Sequence, residues 1–191
     1  MSDSAPLHST RLHSTRLPGD PSEREMIERI IRVDHAGEYG AARIYEGQLA
    51  VMGRGPKGDL IRHMKAQEQV HLDTFKRLIA ERRVRPTALL PLWHVAGLAL
   101  GAVTAAMGDR AAMACTVAVE ESIDEHYAEQ AASLGDHEAV LRGHIENFRA
   151  EEQEHREIGL AHEAELAPAY RVMSAVIKAG CKLAIKVSER V

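Results

Sequence analysis

Apolar residues recur every three or four positions through most of the chain. No window alternates strictly between apolar and polar as a half-buried strand would, so the pattern predicts an all-α protein. Ser22, with Glu25 three residues later, forms a capping box that opens a first helix running to about Met52. The run Gly53-Arg54-Gly55-Pro56-Lys57-Gly58 reads as a turn, after which Asp59 is expected to cap a second helix that ends near Arg83, before Pro86. A third helix is expected from about Asp109 to Leu134, a fourth from Asp136 to Ala167, and a last one from Pro168 to Val191. Residues 1–21 lack this periodicity and contain a direct duplication, His8-Ser9-Thr10-Arg11-Leu12 followed by His13-Ser14-Thr15-Arg16-Leu17. They are expected to be a disordered tail on a single domain spanning residues 22–191.

Residues 88–108, between the second and third helices, carry no Asp, Glu, Lys or Arg before Asp109 and are rich in Leu, Ala and Val. The segment is about as long as a membrane span. Were it to cross a bilayer, however, the two helices before it and the two after it would lie on opposite sides. It is therefore expected to be a hydrophobic crossover that contacts the membrane from one side.

The chemistry lies on the apolar faces. The second helix places Glu68 and His71 on a stripe with Leu60, Met64, Phe75 and Leu78; the fourth places Glu152 and His155 on a stripe with Leu141, Ile145 and Phe148. A second repeat lies one helix earlier in each half. Tyr45 and Gln48 follow Glu38 at the same offsets at which Tyr127 and Gln130 follow Glu120. The chain reads as two copies of one helical hairpin, each supplying a Glu and then a Glu-x-x-His. Packed face to face, the copies bring four carboxylates and two imidazoles to the middle of a bundle. Burying that charge costs several kcal/mol per ion unless cations neutralise it, and two divalent metals would do so. An oxygen-rich set of this kind suits iron or manganese better than zinc, and it is the ligand set of ferritin-like di-metal carboxylate bundles. The expected ligands are Glu38, Glu68, His71, Glu120, Glu152 and His155, with Glu121 as the alternative to Glu120; no further catalytic side chain is expected. Asp34 and Asp124 are candidates to accept the second ring N–H of a ligand His, and Tyr45 and Tyr127 to lie just outside the ligands.

Composition narrows the remaining choices. With 45% hydrophobic residues the chain can build a core, and a formal charge of −4 gives no sign of a nucleic-acid binder. Its two cysteines cannot form a disulfide framework, which points to a reducing compartment. Lys178, Lys182, Lys186 and Arg190 repeat every four residues along the last helix, a stripe suited to lipid headgroups or to the phosphates of a nucleotide.

Five segments carry a family resemblance. They are Ile30-Ile31-Arg32-Val33-Asp34-His35-Ala36-Gly37-Glu38-Tyr39-Gly40-Ala41, Ala118-Val119-Glu120-Glu121-Ser122-Ile123, Glu151-Glu152-Gln153-Glu154-His155, Ala164-Glu165-Leu166-Ala167-Pro168-Ala169-Tyr170 and the closing Ser188-Glu189-Arg190. Across about residues 22–191 the chain resembles the demethoxyubiquinone hydroxylases of ubiquinone biosynthesis, often called Coq7. The resemblance implies a ferritin-like four-helix bundle made of two hairpins, with the crossover helix and a C-terminal helix added. It implies a di-iron monooxygenase that hydroxylates the ring of a polyprenyl methoxy-methyl-benzoquinol with dioxygen, holding two iron ions per chain on the six ligands named above. It further implies NADH as electron donor, with Arg29, Lys182 and Arg190 near the reductant. The expected location is peripheral, on the cytoplasmic face of the inner cell membrane, or on the matrix face of the mitochondrial inner membrane in a eukaryote. The resemblance leaves room for a lipid-presenting protein partner and for self-association. Two other readings of the same residues are a ferroxidase or iron-binding bundle with no organic substrate, and a non-enzymatic scaffold that presents lipid or quinone at the membrane.

Overall fold

A computed structural model of the chain describes residues 19–53 and 55–191. The expected disordered tail falls almost entirely on residues 1–18, outside the described residues. Six α-helices, α1 (Glu23–Met52), α2 (Pro56–Arg82), α3 (Leu90–Ala106), α4 (Asp109–Ser133), α5 (Ala139–Ala161) and α6 (Tyr170–Ser188), make up nearly all the described structure, and no strand occurs among the described residues.

Local chemistry sets most of the helix boundaries. Ser22 Oγ accepts from the Glu25 N–H, and the Glu25 carboxylate accepts from the Ser22 N–H at 2.7 Å, so the capping box closes in both directions. The second helix begins four residues earlier than expected, because Pro56 occupies its first turn, where a missing N–H costs nothing, and Gly55 at φ 131° makes the entry. Asp59 is therefore not a cap; it lies in the first turn and pairs with Arg62. The fourth expected helix also differs. It opens with a 3-10 turn at Asp136–Glu138, and α5 stops at Ala161 rather than Ala167. Glu163 there adopts a left-handed conformation, φ 61°, and a 3-10 turn carries Ala164 into full burial beside Met113 and Val117. Neither Gly nor Pro marks that break. Pro168 does not open the last helix, since Ala169 is also left-handed and α6 starts at Tyr170.

α1 and α2 form one antiparallel hairpin, α4 and α5 the other. The hairpins face each other, α1 against α4 and α2 against α5. The crossover α3 lies along α1 and runs parallel to it, with Gly97 against Gly40 to Ile44 and Gly101 against Ile44 to Gln48. A Cβ on Gly101 would sit 1.9 Å from the Ile44 carbonyl oxygen, so the close approach of the two helices requires glycine there. α6 lies along α4, joined by the Lys178–Glu121 and Lys182–Glu125 ion pairs.

Two apolar clusters fill the bundle. One, around Ile31, Phe75, Tyr127, Leu141 and Ile145, occupies the end where α1 begins; the other, around Tyr45, Ile61, Met64, Met113 and Val117, occupies the opposite end. A polar layer separates them.

Candidate metal centre

That layer consists of Glu38 from α1, Glu68 and His71 from α2, Glu120 from α4, and Glu152 and His155 from α5. None of the six is more than 1% exposed. Each Glu-x-x-His spans one helical turn, so its carboxylate and imidazole project from the same face, and the opposed hairpins bring the faces together.

The ligand atoms fall into two overlapping groups. Glu38, Glu68, His71 and Glu152 offer atoms all within 4.8 Å of one another, and so do Glu68, Glu120, Glu152 and His155. Glu68 and Glu152 belong to both groups, whereas each of the other four belongs to one. The Nδ1 of His71 lies 3.1 Å from Glu152 and 3.4 Å from Glu38; the Nδ1 of His155 lies 3.2 Å from Glu68 and 3.3 Å from Glu152. Both Nδ1 atoms, both oxygens of Glu68 and of Glu152, and one oxygen each of Glu38 and Glu120 are buried without a hydrogen-bond partner. Buried polar atoms are seldom left so. Eight of them, on four carboxylates and two imidazoles in two groups that share Glu68 and Glu152, fit two divalent cations, which Glu38, Glu68, His71, Glu120, Glu152 and His155 would hold. The oxygen-rich donor set suits iron or manganese.

The electrostatics of the cluster point the same way. Burial, added to repulsion from its carboxylate neighbours, raises Glu68 well above the ordinary carboxylate range, and burial likewise raises Glu120 and Glu152. Burial also opposes the charged form of His71, but contacts with Glu152 and Glu38 outweigh it and push its pKa up to about 11. Glu38 feels the same burial, yet His71 and Tyr127 hold it low.

The groups around the ligands repeat across the pseudo-twofold relation of the hairpins. Tyr45 donates to Glu120 Oε1 at 2.6 Å, and Tyr127 donates to Glu38 Oε1, so each tyrosine serves the carboxylate of the opposite hairpin. Gln48 Nε2 donates to the Ala112 carbonyl at 3.1 Å and reaches Thr116, and Gln130 Nε2 donates to Asp34 Oδ1 at 2.7 Å. The structure corrects the expected roles of both aspartates. Asp34 bonds to Gln130, and Asp124 accepts from Arg149 and Gln153; neither is bonded to a ligand imidazole. The ring Nε2 atoms of His71 and His155 instead meet Glu151 and Gln67, each at 3.0 Å. Sequence reasoning missed both partners, although each immediately precedes the Glu of the opposite Glu-x-x-His. Glu121 points away from the cluster and pairs with Lys178.

Of the residues expected near a reductant, Arg29 lines a cavity of about 280 Å³ together with Ile30, His126, Gln130 and Glu189. Lys182 pairs with Glu125 at 3.2 Å, and Arg190 lies beyond the end of α6. The basic stripe on α6 is thus partly neutralised by α4.

Residues 25–188 match the family model described as ubiquinone biosynthesis protein COQ7. A protein of Rhodospirillum rubrum named 3-demethoxyubiquinol 3-hydroxylase is 58% identical over 192 aligned residues, covering 99% of this chain and 91% of the relative. The human mitochondrial NADPH-dependent 3-demethoxyubiquinone 3-hydroxylase is 54% identical, covering 95% of this chain and 86% of the relative. The mitochondrial 5-demethoxyubiquinone hydroxylase of Saccharomyces cerevisiae is 38% identical, covering 89% and 80%.

Proposed function

Because this chain belongs to the COQ7 family of ubiquinone biosynthesis proteins, we propose that it hydroxylates the ring of a demethoxyubiquinol, with dioxygen as oxidant and two iron ions in the Glu/His layer. It is an enzyme, an oxidoreductase of the hydroxylase type. One observation carries the metal assignment: the eight unpartnered ligand atoms in two groups that share Glu68 and Glu152.

Two metal ions held there would supply dioxygen activation. The chain's own residues do the rest. Glu38 and His71 would hold one metal ion and Glu120 and His155 the other, with Glu68 and Glu152 available to both. Tyr45 and Tyr127 fix Glu120 and Glu38 through their hydroxyls. The apolar clusters at either end keep bulk water from the layer. The electron donor is a reduced nicotinamide nucleotide. The cattle and human relatives are named for NADPH, the resemblance points to NADH, and the cavity beside Arg29 is the place to seek either.

Membrane attachment belongs to the same proposal. No described helix is long and apolar enough to cross a membrane. α3 nevertheless presents Leu92, Val95 and Val103 outward, while its glycines face α1, and α6 presents Val172, Val176 and Leu183. Two such stripes flanked by Lys182 and Lys186 support seating on the cytoplasmic face of an inner membrane, or on the matrix face in a mitochondrion, where a quinol's isoprenoid tail can stay in lipid.

The test is reconstitution with Fe(II) under anaerobic conditions, followed by a short-chain demethoxyubiquinol, NADH or NADPH, and isotopically labelled dioxygen. About two iron ions per chain and one labelled hydroxyl on the ring are expected, both lost in Glu68→Ala. Iron-loaded protein that oxidises Fe(II) and leaves the ring untouched would overturn the proposal in favour of a ferroxidase.

A further inference from the structure

The two halves of the metal layer supply the same ligand types, and one chemical difference between them lies in what the ligand imidazoles touch on their far side. His71 and His155 both turn Nδ1 toward the carboxylates, so in each ring Nε2 is left to donate its hydrogen outward. The acceptors sit at equivalent places and equal distances, yet Glu151 offers a carboxylate and Gln67 a neutral amide. We propose that Glu151 and Gln67 are positioning residues that make the two metal positions unequal, the position of His71 binding its cation more tightly than the position of His155. The inference rests on the di-metal reading above.

A carboxylate takes a hydrogen bond from N–H more strongly than an amide does, which leaves more electron density on the opposite ring nitrogen and makes it a better donor to a cation. The carboxylates around the two positions are equal in number and type. Glu68 and Glu152 serve both positions, and a tyrosine hydroxyl serves each of the two remaining carboxylates. The apolar neighbours do differ, since Phe148 lies over the His71 ring with centroids 4.0 Å apart while Tyr45 meets His155 edge-on at 6.2 Å. Ring packing can hold an imidazole in place, but it does not change its donor strength in the way an anionic acceptor does. Replacing the acceptors alone therefore separates the two effects. The Glu151 side chain is 38% exposed, so solvent screens it, and the expected difference lies at the low end of the range for outer partners of metal ligands, about ten-fold.

Anaerobic titration of the full-length protein with Co(II), followed by its visible absorption, reads the two positions directly. Wild-type protein should take two ions in steps about ten-fold apart, with His71→Ala removing the tighter step and His155→Ala the weaker. Glu151→Gln, which keeps an acceptor of the same shape, should bring the steps to within about three-fold of each other. Gln67→Glu should tighten the weaker step and leave the other in place, and it serves as the second variant should Glu151→Gln fold poorly. Two ions bound with equal affinity, or a spacing that neither exchange changes, would overturn this inference while leaving the di-metal reading intact. Failure to bind Co(II) at all would overturn both.

Discussion

Tyr45 on α1 and Glu120 on α4 are 75 residues apart in the chain, and a buried hydrogen bond of 2.6 Å from the phenol to Oε1 joins them. Tyr127 and Glu38 repeat the contact in the other direction. Removing either hydroxyl leaves a buried carboxylate oxygen without its donor, a loss on the order of 1–2 kcal/mol. Tyr45→Phe and Tyr127→Phe should each lower the stability of the Fe(II)-loaded protein by that amount, measured by denaturant unfolding. A smaller loss in the double variant than the sum of the singles would mean that the two contacts act as one unit.

Neighbouring residues on α4 should behave in opposite ways. Glu120 is buried in the layer, whereas Glu121 is partly exposed and pairs with Lys178 of α6. Glu120→Ala should therefore lose at least one of two iron equivalents on anaerobic loading, measured by metal analysis after desalting. Glu121→Ala should load as wild type and lose no more than about 1 kcal/mol of stability. The reverse outcome would transfer the ligand role to Glu121 without altering the helix.

The ligand layer was legible because its residues break a rule. Six ionisable side chains on apolar stripes, at offsets repeated between two halves, demand a partner that solvated charges do not need. The helix ends were less legible. Asp59 has the chemistry of a cap, but Pro56 and Gly55 begin the helix first, and the reversal at Glu163 buries Ala164 in a cluster shared with Met113 and Val117 of a distant segment. The partners of the ligand imidazoles failed for a related reason. Asp34 lies on α1 one turn from Glu38, but its oxygen is taken by Gln130 from the facing hairpin, and the residues that do meet the rings, Glu151 and Gln67, each come from the hairpin opposite the histidine they serve.

Leu92 and Val95 should govern membrane attachment. They are 54% and 65% exposed on α3, whose glycines rather than these side chains make the contact with α1, so replacing them removes little core packing. The double variant Leu92→Glu/Val95→Glu should cease to float with liposomes of mixed neutral and anionic lipid while keeping its far-UV helical signal. Co-flotation equal to wild type would reject α3 as the attachment surface.

Asp34 makes a prediction about pH. Its side chain is buried; Oδ1 accepts from Gln130, and Oδ2 has no hydrogen-bond partner. Burial raises its pKa well above the usual carboxylate range and Glu38 adds to the rise, against the smaller opposing effect of Gln130. The folded state therefore keeps a proton that the unfolded chain gives up near about pH 4. Between that pH and the higher folded pKa the native protein binds more protons than the unfolded one, so this group's contribution to stability falls as pH rises. The substitution Asp34→Asn puts in its place an amide of nearly the same shape, which still accepts from Gln130 and has no proton to lose. In chelator-treated protein the buried glutamates titrate in both forms, so the comparison isolates Asp34 together with its repulsion of Glu38. The stability of Asp34→Asn relative to wild type should thus be near zero at about pH 4 and grow to on the order of 1 kcal/mol or more by about pH 7 to 8, the scale of one poorly paired buried polar group. Thermal unfolding across that range measures it. A difference that stays flat with pH would mean that Asp34 ionises in the folded protein as it does in the unfolded chain.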